Sequence, residues 1–140
     1  MKIDNQVSDP TVQQACKLVE KHYKDRSFLK LVKGVSQYNH TRDTAAMVAD
    51  KIKDSQLQIF VKSYTSKNPW SLAIGYAKGN EIFLNTRKMD LPLGERAGNI
   101  MHEAMHLLGY THRGNRPNTY NKGTVPYKVG NLFGEYVAKK

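Results

Sequence analysis

The sequence predicts an α+β fold in which helices pack against a small twisted sheet. Three observations support this class. Apolar residues recur at helical spacing near the N-terminus, the middle of the chain alternates apolar and polar residues as half-buried strands do, and a long periodic helix follows those strands. With 140 residues, of which 39% are hydrophobic, the chain can bury a core as one domain spanning residues 1–140.

The first predicted helix lies in the segment DPTVQQACKLVEKHYK. Asp9 is a suitable N-cap and Pro10 occupies the first helical position, where a missing N–H costs nothing. Val12, Cys16 and Val19 then fall on the inward face. Because Cys16 is the only cysteine, it has no partner for an internal disulfide, and it is predicted to be a small buried hydrophobic residue.

The middle of the chain predicts a second helix followed by three strands. The helix lies in TRDTAAMVADKIKDS, with Thr41 as its cap. Alternation in QLQIFVKSY predicts the first of these strands. The segment SLAIGYAKGNEIFLNTR predicts the other two, joined by a turn at Gly79 and Asn80. Near the C-terminus, RGNRPNTYNKGTVPYKVGN predicts an irregular loop, and NLFGEYVAKK predicts a short helix after it.

The formal net charge of +10 is spread over the whole chain rather than gathered in one basic run. Such a charge indicates either an ordinary basic surface or attraction to an anionic partner such as an acidic peptide, a bacterial envelope or RNA. No apolar run reaches the roughly 20 residues that span a bilayer, so no membrane-spanning segment is expected. The first ten residues, MKIDNQVSDP, also lack the apolar centre of a signal peptide.

Three of the five histidines lie in the short segment HEAMHLLGYTH. On a helix, His102 and His106 are one turn apart and point the same way, so each can give a nitrogen to one metal ion at roughly 2.0 to 2.1 Å. Glu103 lies on the flank of that face, where it can reach a bound water without occupying a coordination position. Gly109 predicts the end of the helix, and the chain reversal there lets His112 approach as a third ligand.

Three neutral imidazoles leave the full charge on a zinc ion and one coordination position open. Chance occurrence of this spacing is on the order of one in a hundred thousand for such a composition. His22 and His40, which lie outside the segment, are interpreted as ordinary structural histidines. A binding module with a structural zinc is an alternative, but such sites usually have a fourth histidine or cysteine ligand, and Cys16 is far away in sequence. The open position favours catalysis.

The pattern H-E-x-x-H-x-x-G-x-x-H resembles the signature of the metzincin zinc endopeptidases. It is satisfied by His102, Glu103, His106, Gly109 and His112. The resemblance implies a mostly parallel sheet with an antiparallel edge strand, a backing helix and an active-site helix. It also implies that the edge strand borders the substrate cleft, which would place Gly75, Tyr76 and Ala77, or their strand partners, beside the substrate.

The same resemblance implies the chemistry. Zn²⁺ held by His102, His106 and His112 acidifies a water and polarises the scissile carbonyl, while Glu103 takes the proton of the water and passes it to the leaving amine. The expected substrate is a polypeptide, and the basic charge suits an acidic or envelope-associated one. The expected protein is a monomer that a bacterium secretes or exports to the periplasm.

The sequence departs from the metzincin pattern in one respect. Metzincins carry a methionine in a tight turn after the third ligand, whereas the last methionine of this chain is Met105. The segment GTVPYKVG is the candidate for that turn, with Pro126 near the expected position. Tyr127, just beyond, resembles the tyrosine that approaches the metal or the oxyanion in some metzincins, and it is the second candidate catalytic residue. Tyr120 is its competitor.

A second enzyme class also fits part of the motif. Bacterial endoribonucleases that mature ribosomal RNA use three histidines at this spacing, often within H-G-x-L-H-L-x-G-Y-D-H, which MHLLGYTH resembles. The net charge of +10 suits an RNA substrate. However, Glu103 replaces the glycine of that pattern and Thr111 replaces the aspartate. A carboxylate beside the first ligand is what peptide hydrolysis needs, so nucleic acid is the less favoured substrate.

Overall fold

Four strands and six α-helices make up the structure, a computed structural model that describes residues 1–140. The first half contains β1 (Lys2–Asn5), α1 (Pro10–His22), α2 (Arg26–Lys33), α3 (Ala45–Lys53) and β2 (Gln58–Tyr64). The second half contains β3 (Gly75–Lys78), β4 (Glu81–Asn85), α4 (Leu93–Leu107), α5 (Thr119–Lys122) and α6 (Val125–Ala138). No helix combines the length and apolar character needed to cross a bilayer.

The strands form one sheet in the order β1-β2-β4-β3. β1 runs parallel to β2, and β2 runs parallel to β4. β3 pairs antiparallel with β4 through the turn at Gly79, whose φ of 66° lies in the left-handed region. The sheet is therefore mostly parallel with one antiparallel edge strand, which confirms the predicted α+β class and this feature of its sheet.

Helices α1 and α4 pack against each other beside the sheet, where α1 contacts β1 and α4 contacts β3 and β4. The sheet contributes fully buried side chains to the core at alternate positions, namely Ile59, Val61, Ile82 and Leu84. From α1 come the predicted inward residues Val12, Cys16 and Val19, all buried. Burial raises the pKa of the Cys16 thiol to about 12, as expected for an inert buried thiol. This core fixes α4, the helix that carries two of the histidines.

The N-terminus of α3 corrects one prediction. The helix begins at Ala45, and its N-cap is Thr44, whose hydroxyl accepts a 3.2 Å hydrogen bond from the amide of Met47. Thr41, the predicted cap, instead accepts a bond from the amide of Asp43 at 3.1 Å. The helix therefore starts later than predicted, and Asp43 lies in the turn before it.

The segment after the histidines gives the largest correction. The predicted terminal helix is present, but it begins earlier, at Val125, and α5 interrupts the predicted loop, of which residues 113–118 remain irregular. Pro126 and Tyr127 therefore lie in the first turn of a helix. α6 packs closely along α4 because glycines face each other between them. A Cβ built on Gly130 would come within 2.8 Å of the Gly98 carbonyl oxygen and 3.0 Å of the His102 Cβ. The backbone of α6 thus lies directly against the first histidine.

Replacing Gly130 with alanine is expected to destabilise the protein by about 1 to 3 kcal/mol, because the new methyl group overpacks this contact. Asn131→Ala is the matched control, since Asn131 is exposed on the same helix. Alanine has a higher intrinsic helix propensity than the residue it replaces at either position, by up to about 1 kcal/mol where it replaces glycine. Any destabilisation by Gly130→Ala must therefore come from the tight contact. Urea denaturation of both variants tests the contact. A Gly130→Ala protein as stable as Asn131→Ala would contradict the tight packing.

Candidate metal centre

The end of α4 brings the three histidines together. His102 and His106 are one turn apart near the end of this helix. There the amide of Gly109 donates to the carbonyl of His106 at 3.0 Å, and that of Tyr110 donates to Met105 at 3.1 Å. These two bonds form a Schellman motif, which needs the left-handed φ of 101° that Gly109 adopts. The predicted chain reversal is present, and it returns His112 to the helix.

One nitrogen from each of His102, His106 and His112 lies within 4.8 Å of the other two, and no cysteine, aspartate, glutamate or further histidine joins them. The Nε2 atoms of His106 and His112 are 3.1 Å apart. Two nitrogens bound to one tetrahedral zinc at roughly 2.0 to 2.1 Å would be about 3.3 Å apart. The cluster is therefore of a size to hold a metal ion, as the motif predicted. His22 and His40 lie outside it.

Hydrogen bonds fix the orientation of two of these rings. His106 Nδ1 is 2.8 Å from the carbonyl oxygen of Tyr110, and His112 Nδ1 is 2.6 Å from that of Gly114. Because a carbonyl oxygen only accepts, each Nδ1 must be the donor, which in a neutral ring leaves Nε2 with a free lone pair. Two such lone pairs 3.1 Å apart would repel each other unless a proton or a metal cation lay between them. The three rings are therefore positioned so that they could bind one metal ion.

Burial favours the neutral form of His102 and His106 by lowering the pKa of each. Desolvation, followed by the charges of His106 and His112, lowers the pKa of His102 to about 3. Desolvation also lowers the pKa of His106, with a smaller contribution from His112 and an opposing one from its bond to the Tyr110 carbonyl. A shared proton between the rings is thereby disfavoured. Neutral imidazole is also the form that binds a metal.

Glu103 is buried on the flank of this cluster, with 5% of its surface exposed. Burial raises the pKa of its carboxyl to about 7. Its charge in turn contributes to the raised pKa values of Tyr64 and Tyr127, which places all three groups in one electrostatic neighbourhood. Glu103 does not belong to the set of metal-binding groups. A carboxyl with these properties can exchange a proton near neutral pH.

The structure distinguishes the two candidate tyrosines. The ring of Tyr127 lies edge-on to that of His102, with centroids 4.5 Å apart, and 4.8 Å from that of His112. Tyr120 lies elsewhere, with its ring 4.0 Å from the guanidinium carbon of Arg113 and its hydroxyl 3.3 Å from His40 Nδ1. Tyr127 is therefore beside the histidines and Tyr120 is not. Gly75, Tyr76 and Ala77 lie on β3, the edge strand, which contacts α4.

Asn121 organises the loop that follows His112, a role that the sequence analysis did not predict. Its buried side chain accepts from the amide of Arg113 at 3.0 Å and donates to the carbonyls of Arg113 and Arg116. These bonds fold the loop that follows His112 back on itself. A polar residue in a segment rich in glycine and asparagine usually indicates a loop, so only the folded contacts reveal that Asn121 organises it.

Tyr110 is a second residue whose importance only the structure reveals. While its carbonyl accepts from His106, its hydroxyl donates to the carboxylate of Asp43 at 2.7 Å. Lys51 donates to the same carboxylate oxygen at 2.7 Å. The buried tyrosine therefore ties the turn before α3 to the backbone that orients His106. Groups that orient a ligand in this way commonly change metal affinity when they are removed.

We expect Tyr110→Phe to weaken zinc binding by about tenfold, because the backbone that holds His106 loses its anchor. Tyr136→Phe is a matched control, since Tyr136 donates a bond of the same 2.7 Å length to Asp25, which does not belong to the cluster of His102, His106 and His112. Both variants should lose about 1 to 2 kcal/mol of stability. Competition with a chelator of known affinity measures zinc binding. Equal affinities in the two variants would show that the Tyr110 anchor is only structural.

Comparisons with protein-family models, with curated proteins and with solved structures found no match. The chemistry of the site itself must therefore indicate the function. Three imidazoles can hold a metal ion, the buried Glu103 can exchange a proton, and Tyr127 presents a phenol beside two of the imidazoles. This combination suits metal-assisted hydrolysis.

Proposed function

We propose that this chain is a zinc-dependent endopeptidase, similar to the metzincins. The observation that carries the proposal is the buried carboxyl of Glu103 beside a cluster of three histidines that could hold a metal ion. Three imidazoles without a fourth protein ligand are typical of catalytic rather than structural zinc sites. The antiparallel edge strand β3, which contacts α4, is further support because an extended peptide can pair with such an edge.

Zinc is the metal that the ligands favour. Imidazole nitrogen suits zinc, copper, iron and nickel, whereas magnesium and calcium prefer oxygen. His102, His106 and His112 would hold the ion, with His106 and His112 oriented by the carbonyls of Tyr110 and Gly114. When bound, zinc lowers the pKa of a water and polarises a carbonyl.

Glu103 carries the proton in the proposed reaction. Its carboxylate removes a proton from the attacking water as the water oxygen bonds to the peptide carbonyl carbon. The same carboxyl then protonates the amide nitrogen, so the C–N bond breaks and a carboxylic acid and an amine are released. Burial suits this exchange because a desolvated carboxylate accepts a proton more readily than an exposed one.

Tyr127 is proposed to stabilise the charge that develops on the carbonyl oxygen. Burial, with a contribution from Glu103, raises the pKa of its phenol, which keeps the proton on the hydroxyl and lets it donate. Its ring is held against His102 and His112 by the first turn of α6. A donor placed in advance where charge develops is a large source of catalysis in acyl transfer.

An endoribonuclease is the second candidate function, and the net charge of +10 is the observation that favours it. One experiment separates the two. A peptide mixture and a structured ribosomal RNA are each incubated with zinc-loaded protein, with chelator-stripped protein and with stripped protein reloaded with zinc. We expect peptide cuts, mapped by mass spectrometry, only where zinc is present. Zinc-dependent cleavage of RNA alone would favour the nuclease, and zinc binding without any cleavage would indicate a non-catalytic module.

A further inference from the structure

The loop of residues 65–74, which joins β2 to the edge strand β3, exposes two large apolar side chains; we refer to it as the Trp70 loop. Trp70 and Leu72 are each 86% exposed, far more than the other exposed large apolar residues of the chain. Trp70 is also the only tryptophan. Because exposing both side chains to water is unfavourable, their position calls for a partner that buries them.

Hydrogen bonds at the base of the Trp70 loop hold these side chains in their exposed position. The buried side chain of Asn85 donates to the carbonyl of Ala73 at 2.9 Å and to the hydroxyl of Ser66 at 3.2 Å. Near the tip, the amide of Trp70 donates to the side chain of Asn68 at 2.9 Å. Hydrogen bonds thus hold both ends of the Trp70 loop, so the apolar tip is presented in advance of binding.

Basic residues predominate in the Trp70 loop and in the segments next to it along the chain. The segment from residue 62 to residue 88 holds five basic residues, Lys62, Lys67, Lys78, Arg87 and Lys88, against one acidic residue, Glu81. The carboxylate of Glu81 is already paired with Lys62. Lys67 lies in the Trp70 loop itself, and Arg87 is fixed at its base by a 2.9 Å bond from its Nε to the carbonyl of Ser66. An anionic surface is therefore the complementary partner.

We propose that the Trp70 loop is an anchor that inserts Trp70 and Leu72 into an anionic lipid surface. Tryptophan is favoured at the membrane interface, and lysine and arginine nearby are attracted to acidic headgroups. A protein partner fits less well, because two protruding side chains cover much less than the roughly 800 Å² per partner of a stable interface. Single-stranded RNA also fits less well. Its bases stack on aromatic rings, and the aliphatic side chain of Leu72 offers no such stacking surface.

The single tryptophan makes the test direct, because all tryptophan fluorescence comes from Trp70. The whole protein is mixed with vesicles of phosphatidylcholine alone, or of phosphatidylcholine with phosphatidylglycerol, and binding is measured by co-sedimentation. With the anionic vesicles we expect binding, a blue shift of the Trp70 emission and protection from acrylamide quenching. Binding should weaken as salt is added, since salt screens the charges.

Variants separate the loop from the rest of the surface. Trp70→Ser and Leu72→Ser should each weaken binding to the anionic vesicles by about tenfold or more, and Lys67→Glu by about fivefold or more. Leu31→Ser is the matched control, because Leu31 is a half-exposed leucine on α2 outside the loop. His106→Ala should bind vesicles normally, which keeps this test independent of the proposed peptidase.

Several results would overturn the anchor. An unchanged Trp70 emission with anionic vesicles excludes insertion, and normal binding by both serine variants excludes the loop. Equal binding to neutral vesicles would contradict the role of charge. Quenching of Trp70 by single-stranded RNA, without any vesicle binding, would assign the Trp70 loop to nucleic acid instead.

Discussion

Glu103→Gln is expected to lower the rate of peptide hydrolysis by about 10²- to 10⁴-fold while zinc stays bound. The amide cannot accept a proton from water or return it to the leaving amine, yet it has nearly the shape of the carboxyl that it replaces. Because Glu103 is not one of the three clustered ligands, the metal should be unaffected. The rate is measured on one peptide that the protein cuts in the peptide mixture described above. Elemental analysis measures the zinc content.

The matched control for this variant is Glu135→Gln, which makes the same chemical change on α6, away from the histidines. It should retain both hydrolysis and zinc. If Glu103→Gln cleaved the peptide as fast as Glu135→Gln, Glu103 would not be the proton carrier and the proposed mechanism would be wrong. Loss of zinc from Glu103→Gln would instead assign this residue to metal binding.

His106→Ala is expected to weaken zinc binding by more than about 100-fold. Removing a group that only orients a ligand costs up to about 100-fold, and removing a proposed ligand should cost more. Hydrolysis should disappear with the metal. The variant also removes the bond from His106 to the Tyr110 carbonyl and the 3.1 Å contact between His106 and His112. Only His102 and His112 then remain to bind the metal. Isothermal titration of the metal-free protein with zinc measures the change.

His40→Asn is the control for the histidine variant, because His40 lies outside the cluster and asparagine tolerates its left-handed φ of 65°. Its zinc affinity should equal that of the unmodified protein. Undiminished zinc binding by His106→Ala would show that the cluster is not the metal site. In that case the repulsion between the facing nitrogens of His106 and His112 would need another explanation.

The histidine cluster was predictable because its geometry is local. His102 and His106 share a face of any α-helix, and a glycine after the last turn is the usual signal for a left-handed helix end. Gly109 adopts that conformation, and His112 returns as expected. The sheet was predictable for a similar reason, since the alternation in β2, β3 and β4 and the turn at Gly79 are short-range signals.

Other features depend on contacts between distant segments, which local patterns do not report. The first part of α6, residues 125–130, was missed because Gly130 is a poor helix former in a segment rich in turn residues, and only the close approach of α4 explains its presence. β1, only four residues long, owes its conformation to pairing with β2. Tyr120 and Tyr127 could not be told apart without the start of α6. Whether Thr41 or Thr44 caps α3 also depended on the folded turn that contains Asp43.

The contact between Gly130 and His102 has a consequence for the nascent chain. One wall of the histidine cluster belongs to a helix that is synthesised after all three ligands, and Tyr127 reaches the cluster from that same helix. On the ribosome, the motif therefore emerges before the surface that shapes it. Until α6 has been translated and has docked, no complete site exists. The order of synthesis thus delays completion of the histidine cluster until α6 has packed against α4.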